Sequence, residues 1–313
     1  MAITSEPSGA HLSVARRWRK SRFTRRALAA ALLFQAPWII GFAAFLLYPA
    51  VASFYYSFTD YTILNAPRWS GLSNYSALVH DQFFQSAVFN TAYIMLIGVP
   101  LSTVVAFAVA LLLNTNVRGL AVWRTLCFLP AVMPPLVAAI LWVWVFNPQF
   151  GIVNAFLGAL HLPQPGWLTD PVWAKPTMIL LNIWQIGVTT IIYLAALQGV
   201  PKELYEAVSI DGGGFWTKLR HVTIPMVSPV TLFNLITGII AALQFFTQAY
   251  TIGGASGNPQ SSLLFYVSYI YTSAFQNFDM GYASAMSWLL FVVILCCTAI
   301  LILATRRWTY YER

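Results

Sequence analysis

Long apolar runs, broken by short polar and proline-rich stretches, set the pattern of this chain, and its charged residues mark the breaks. Six gaps between charges exceed the ~20 residues a helix needs to cross a bilayer. They run from Arg26 to Asp60, Asp81 to Arg118, Arg124 to Asp170, Lys175 to Lys202, Arg220 to Asp279 and Asp279 to Arg306. The densest apolar stretch in each predicts spans at about 30–54, 89–113, 125–146, 177–198, 229–251 and 281–304. The gap before Asp279 also holds Ser262 to Phe278, about 17 residues with Tyr266, Tyr269 and Tyr271. So short and tyrosine-rich a stretch suits a helix lying on the surface or buried in protein better than a seventh crossing.

Composition agrees with an all-α integral membrane fold. Hydrophobic residues make up 59% of the 313 and charged residues 8%, where a soluble domain carries about a quarter charged. That excludes a water-soluble enzyme, a disordered chain, a coiled coil and a disulfide scaffold. Cys127, Cys296 and Cys297 lie in apolar runs and make no zinc or disulfide spacing.

The net charge of +8 is unevenly placed. With six spans and the N-terminus in the cytoplasm, inside segments carry 15 of the 17 Lys and Arg residues, and outside loops carry only Arg68 and Lys175. This distribution puts both termini inside. The organisation expected is a basic cytoplasmic segment 1–26, a six-span domain 27–305 and a cytoplasmic tail 306–313. The cluster Arg16, Arg17, Arg19, Lys20, Arg22, Arg25 and Arg26 reads as an orientation anchor touching anionic lipid. A signal peptide fits less well, because the apolar run that follows is long enough to span and has no Ala-x-Ala cleavage site.

The connections carry more information than a plain bundle needs. Segments 55–88 and 147–176, both outside, read as structured, as a surface that docks a partner should be. Inside, residues 199–228 begin with Pro201 and Glu203, which suit the first turn of a helix. Gly212, Gly213 and Gly214 break that helix. A second short segment is expected at Phe215 to Val222, and Pro225 and Pro229 lead into the next span. On these features alone the stretch is either an ordinary connecting loop or a rigid cytoplasmic knob.

Its spacing resembles the EAA motif of binding-protein-dependent ABC importer permeases: Glu206, Ala207, Val208, then Gly212, then Val222, Ile224 and Pro225. Val208 and Gly213 depart from the common alanines, and Val222 and Ile224 replace Ile and Leu. PWIIGFAAFLLYPAVASFYYSFTDY, WSGLSNY and AFQNFDMGYASAMSW are similar to the sugar branch of that family, related to maltose and glycerol-phosphate permeases. The resemblance implies a type I ABC importer permease fold. Its partners would be a second homologous permease, two cytoplasmic ABC ATPase subunits and an extracytoplasmic solute-binding protein, in a bacterial or archaeal cell membrane.

It also implies that Glu206, Ala207, Val208, Asp211, Gly212, Phe215 and Pro225 couple this chain to the ATPase, with Asp211 equally suited to capping the break. ATP and Mg would be bound by the ATPase and no cofactor by this chain. Independently, no lysine sits in a Gly-Lys-[Ser/Thr] context, and no catalytic or metal-ligating cluster stands out. Nucleic acid is not an expected partner.

A sugar path needs hydrogen-bonding and aromatic side chains within the membrane. Asn182, Trp184 and Gln185 in the fourth span, and Asn234, Gln244, Phe245 and Gln248 in the fifth, supply them, although each serves equally well as glue between helices. The spans are expected to be free of charge, which disfavours an ion-coupled secondary transporter or an importer of phosphate or polyamine. Pro37, Pro49, Pro100, Pro130, Pro134 and Pro135 suggest kinked or broken helices.

Overall fold

The computed structural model describes residues 25–115 and 118–305. The basic cluster up to Arg22 and the tail from Arg306 lie outside the described residues. The chain divides into a unit ending at Ala52 and a unit from Ser53 onward. In the first, helix Arg25–Phe42 continues through a π turn at Ala43–Leu47 into Tyr48–Tyr56, and almost all its large apolar side chains are exposed.

In the second unit, helices Val99–Leu113, Gly187–Gln198 and Ile224–Leu243 pack together as a central bundle. Close approach is needed there: a Cβ on Gly238 would sit 2.8 Å from Val99 Cγ1. Helix Met280–Thr305 packs on Ile224–Leu243 and on Tyr266–Phe275. The latter helix and the fully buried Leu263, Leu264 and Phe265 before it take the protein-buried alternative for residues 262–278.

Four helices are long and apolar enough to span alone, and six spans result if each of two bent pairs counts as one. The third span, expected over 125–146 with prolines that suggest a kink or break, is broken. Leu120–Val132 and Pro135–Val145 meet at 101°, because Pro134 and Pro135 cannot continue the hydrogen-bond ladder. The fourth bends by 47° between Pro171–Trp184 and Gly187–Gln198.

The knob's second half also differs from expectation. Phe215–Lys218 is not a separate helix; it runs through a π turn, Leu219–Thr223, into Ile224–Leu243. The three π turns, Ala43–Leu47, Ile94–Gly98 and Leu219–Thr223, each end two residues before a proline: Pro49, Pro100 and Pro225. Proline has no N–H and collides with the carbonyl four residues back. Widening the preceding turn relieves that collision without ending the helix.

At the end of the spans remote from the knob, three asparagines brace irregular backbone. Asn74 donates to the Ser57 and Thr59 carbonyls, Asn90 to those of Ser261 and Leu264, and Asn154 to those of Pro148 and Pro165. Each Nδ2 satisfies two carbonyls that no helix or sheet supplies with a partner. The only strands among the described residues are Thr59–Asp60 and Arg68–Trp69, antiparallel with Thr59 opposite Trp69.

Asp81 latches this layer. It caps helix Gln82–Tyr93 through the Phe83 N–H and accepts from the Tyr269 and Tyr282 hydroxyls. Burial works to raise its carboxyl, but the two phenols and the N–H groups of Phe84 and Phe83 outweigh it, and the group is held below the usual carboxylate range. The latch is therefore complete at neutral pH and weakens only as pH falls through that lowered value.

Candidate functional site: an amide-lined cavity and an exposed knob

A cavity of about 420 Å³ opens where the helices of the fourth and fifth spans are interrupted. The fourth breaks between Trp184 and Gly187. The fifth stops at Leu243 and resumes at Thr247. Interrupted helices leave carbonyls and N–H groups without intrahelical partners, and polar side chains must collect around them. Gln185 does so: its Nε2 donates to the Pro130 carbonyl at 3.4 Å, beside the break of the third span, and its Oε1 accepts from Gln248 Nε2 at 3.3 Å. One amide thus links three broken spans.

Six of the seven proposed path residues line this cavity: Asn182, Gln185, Asn234, Gln244, Phe245 and Gln248. Asn234 is only 5% exposed, and its side chain interacts with the Tyr193 hydroxyl beside the cavity wall. Asn182 turns its own Nδ2 back onto the Met178 carbonyl.

Trp184 is the exception. It packs beside Trp142, ring centroids 6.0 Å apart, in a separate aromatic cluster with Phe146 and Leu181. The helix ends at Trp184, whose ring joins that cluster, while Gln185, just past the helix end, turns to the cavity. Gln244 and Phe245 do share it because the helix has ended there.

The sequence reading missed Ser102, Thr103, Thr189, Phe246 and Thr247, which also line the wall. The signal was present: Asn182, Gln185 and Thr189 recur at helical spacing on one face. Lys175 stands two residues before the span expected at 177–198. It lies inside helix Pro171–Trp184 rather than in a loop, and its stem is sheltered by the Phe89 and Tyr93 rings.

The knob is built otherwise. Helix Lys202–Ile210 ends in a left-handed Gly212 (φ 78°), with the Gly213 N–H on the Val208 carbonyl at 2.8 Å and the Gly212 N–H on Ser209 at 3.1 Å. Gly212 is therefore a residue for which a side chain would be strained. Asp211 stands at the C-cap through its backbone N–H. Tyr205 ties the helix to the π turn, its hydroxyl 3.1 Å from Thr223 Oγ1.

Glu206, Ala207, Asp211, Gly212 and Phe215 are all exposed, Pro225 is half-buried, and Val208 packs inward. A Cβ on Gly213 would lie 2.4 Å from Val208 Cγ1. Two of the four departures from the motif are thus one: the larger residue at 208 occupies the space that the smaller one at 213 vacates. Ile210 and Trp216, 86% and 76% exposed, leave an apolar tip uncovered.

Interrupted apolar helices around an uncharged polar cavity, with a helical knob at one end, define a multi-pass membrane permease. Comparison with known proteins places it further. Residues 98–311 match the family described as binding-protein-dependent transport system inner membrane component, and the chain belongs to that family.

It is 37% identical over 298 residues to the probable ABC transporter permease protein YesP of Bacillus subtilis, covering 94% of this chain and 96% of that protein. It is 34% identical to the lactose transport system permease protein LacF of Rhizobium radiobacter, covering 84% and 89%. A chain in the crystal structure of a bacterial alginate ABC transporter, in complex with alginate pentasaccharide-bound periplasmic protein, superposes with a TM-score of 0.80. That match is at 25% identity, over 95% of this chain and all of that one.

Proposed function

We propose that this chain is a membrane permease subunit of an ATP-driven importer for a saccharide. The observation that carries the reading is the cavity at the broken spans, walled by amides and hydroxyls with Phe245 and Phe246 among them and no ionised group. Such a lining offers hydrogen bonds and ring faces to a neutral polyol and no counter-charge to an ion. The lactose and alginate transporters it resembles point the same way.

In this reading the knob faces the cytoplasm, the side that the positive charges favour. Its exposed Glu206, Ala207, Asp211 and Phe215 seat in an ATPase that binds ATP and Mg, while this chain binds neither. A second, homologous permease completes the path, and an extracytoplasmic binding protein delivers the solute. Closure of the ATPase pair moves the knob, and the spans bend at their existing breaks between two discrete packings.

The test is reconstitution in liposomes with the ATPase, second permease and binding protein encoded beside it. Saccharides are expected to stimulate ATP hydrolysis and to accumulate inside. Stimulation by peptides or amino acids but by no saccharide would overturn the substrate class. Labelling of Ile210→Cys from the outside only would overturn the orientation.

A further inference from the structure

Apart from the central cavity, a second one of about 600 Å³ opens at the end of the spans remote from the knob, where helices Gln82–Tyr93 and Pro171–Trp184 begin. Its size is that of a small-molecule site. Four amides line it, from Gln82, Gln85, Asn90 and Gln260, with the Gln85 Nε2 donating to the Val79 carbonyl, and Lys175 is its cation.

Lys175 is held in place by uncharged groups. Its Nζ donates to Asn90 Oδ1 at 3.1 Å and lies 5.1 Å from the Phe89 ring centroid and 5.7 Å from that of Tyr93. Asn90, 2% exposed, cannot swing away, because its Nδ2 is pinned to the Ser261 and Leu264 carbonyls. An ammonium has three donors, and here one goes to a neutral acceptor. No carboxylate of the described residues pairs with it. Ser262, 6% exposed, adds a hydroxyl that lines the same cavity and closes no hydrogen bond. A half-buried cation positioned by neutral partners inside a polar concavity keeps its charge for a ligand.

We propose that this cavity is a subsite for a saccharide carrying a carboxylate, with Lys175 pairing with the acid group and the three glutamine amides binding ring hydroxyls. The wide opening admits a saccharide from outside, and the experiment separates that occupant from an acidic loop of a docked protein. Asn90 is a positioning residue that aims the ammonium. The inference rests on the saccharide reading above and deepens it.

The experiment uses the complete importer in liposomes. It compares uptake of a uronic-acid trisaccharide with uptake of the same trisaccharide after its carboxylates are reduced to hydroxymethyl groups. Lys175→Met is expected to raise KM for the acidic sugar about tenfold and to leave the neutral one unchanged, and Lys175→Arg to keep the wild-type preference. Equal changes for both sugars would make Lys175 a structural brace and overturn the subsite. An effect that vanishes at saturating binding protein would assign the charge to protein docking, with the same consequence. Wild-type importer indifferent to both sugars, but active on another solute, would overturn the saccharide reading itself and this subsite with it.

Discussion

The knob and the central cavity sit at different depths of the same spans and spend their polar groups in opposite ways. In the knob, Glu206, Asp211 and Phe215 are exposed, and order comes from a glycine terminus in the backbone with one side-chain tie, Tyr205 to Thr223. In the cavity the side chains supply the order, with Gln185 holding both Gln248 and the Pro130 carbonyl. A surface meant for a partner can leave its side chains free because the partner completes their surroundings. Groups facing a membrane interior have no such option and must satisfy one another until a ligand arrives.

The sharpest way to break this contrast is to attack the knob's backbone. Gly212→Val places a β-branched residue at φ 78°, a conformation costing about 1–2 kcal/mol for residues with a Cβ. Uptake should fall by at least about tenfold at an unchanged level of inserted protein, while basal ATP hydrolysis by the assembled complex persists. Normal coupled uptake would show that the glycine terminus does not aim the knob.

In the cavity the equivalent attack is on a side chain. Gln185→Leu strands the Gln248 amide and leaves the Pro130 carbonyl with only the Met133 N–H, and a buried group left unsatisfied costs about 1–3 kcal/mol. A lower unfolding temperature in detergent is expected together with a KM raised about tenfold. A changed unfolding temperature with unchanged KM would make the amide purely structural.

The smallest effect is the most diagnostic. Gly213→Ala should reduce coupled ATP hydrolysis severalfold, since overpacking costs about 1–3 kcal/mol, and adding Val208→Ala should restore it. Additive losses in the double variant would separate the two positions.

How much of this was legible in the sequence follows the same division. The knob was read from local spacing, since Pro201, Glu206 and Gly212 act on their own segment of chain. Its second half, expected as a separate short segment, instead runs on into the fifth span through the π turn before Pro225. The cavity's residue types were visible as amides inside apolar runs, but which of them converge depends on where the spans break. Pro134 and Pro135 announced a break without its 101° angle, and nothing at Gln244 to Phe246 announced one at all. Trp184 was chosen as the neighbour of Gln185, but its ring packs with Trp142 and Phe146 instead. Lys175 was assigned to a loop because its charge outweighed the pattern around it, although its long stem allows it to lie against rings inside a helix.

The wide turn at Leu219–Thr223 joins the knob to the fifth span without a seam. Such a turn is an ordinary helix with one residue added, and each residue is worth about 100° of rotation about the axis. Deleting one residue there would leave the length of the rod almost unchanged while swinging Phe215 and everything beyond it a quarter-circle sideways. The azimuth of the knob about the axis of the fifth span is therefore written into the chain as a single inserted residue.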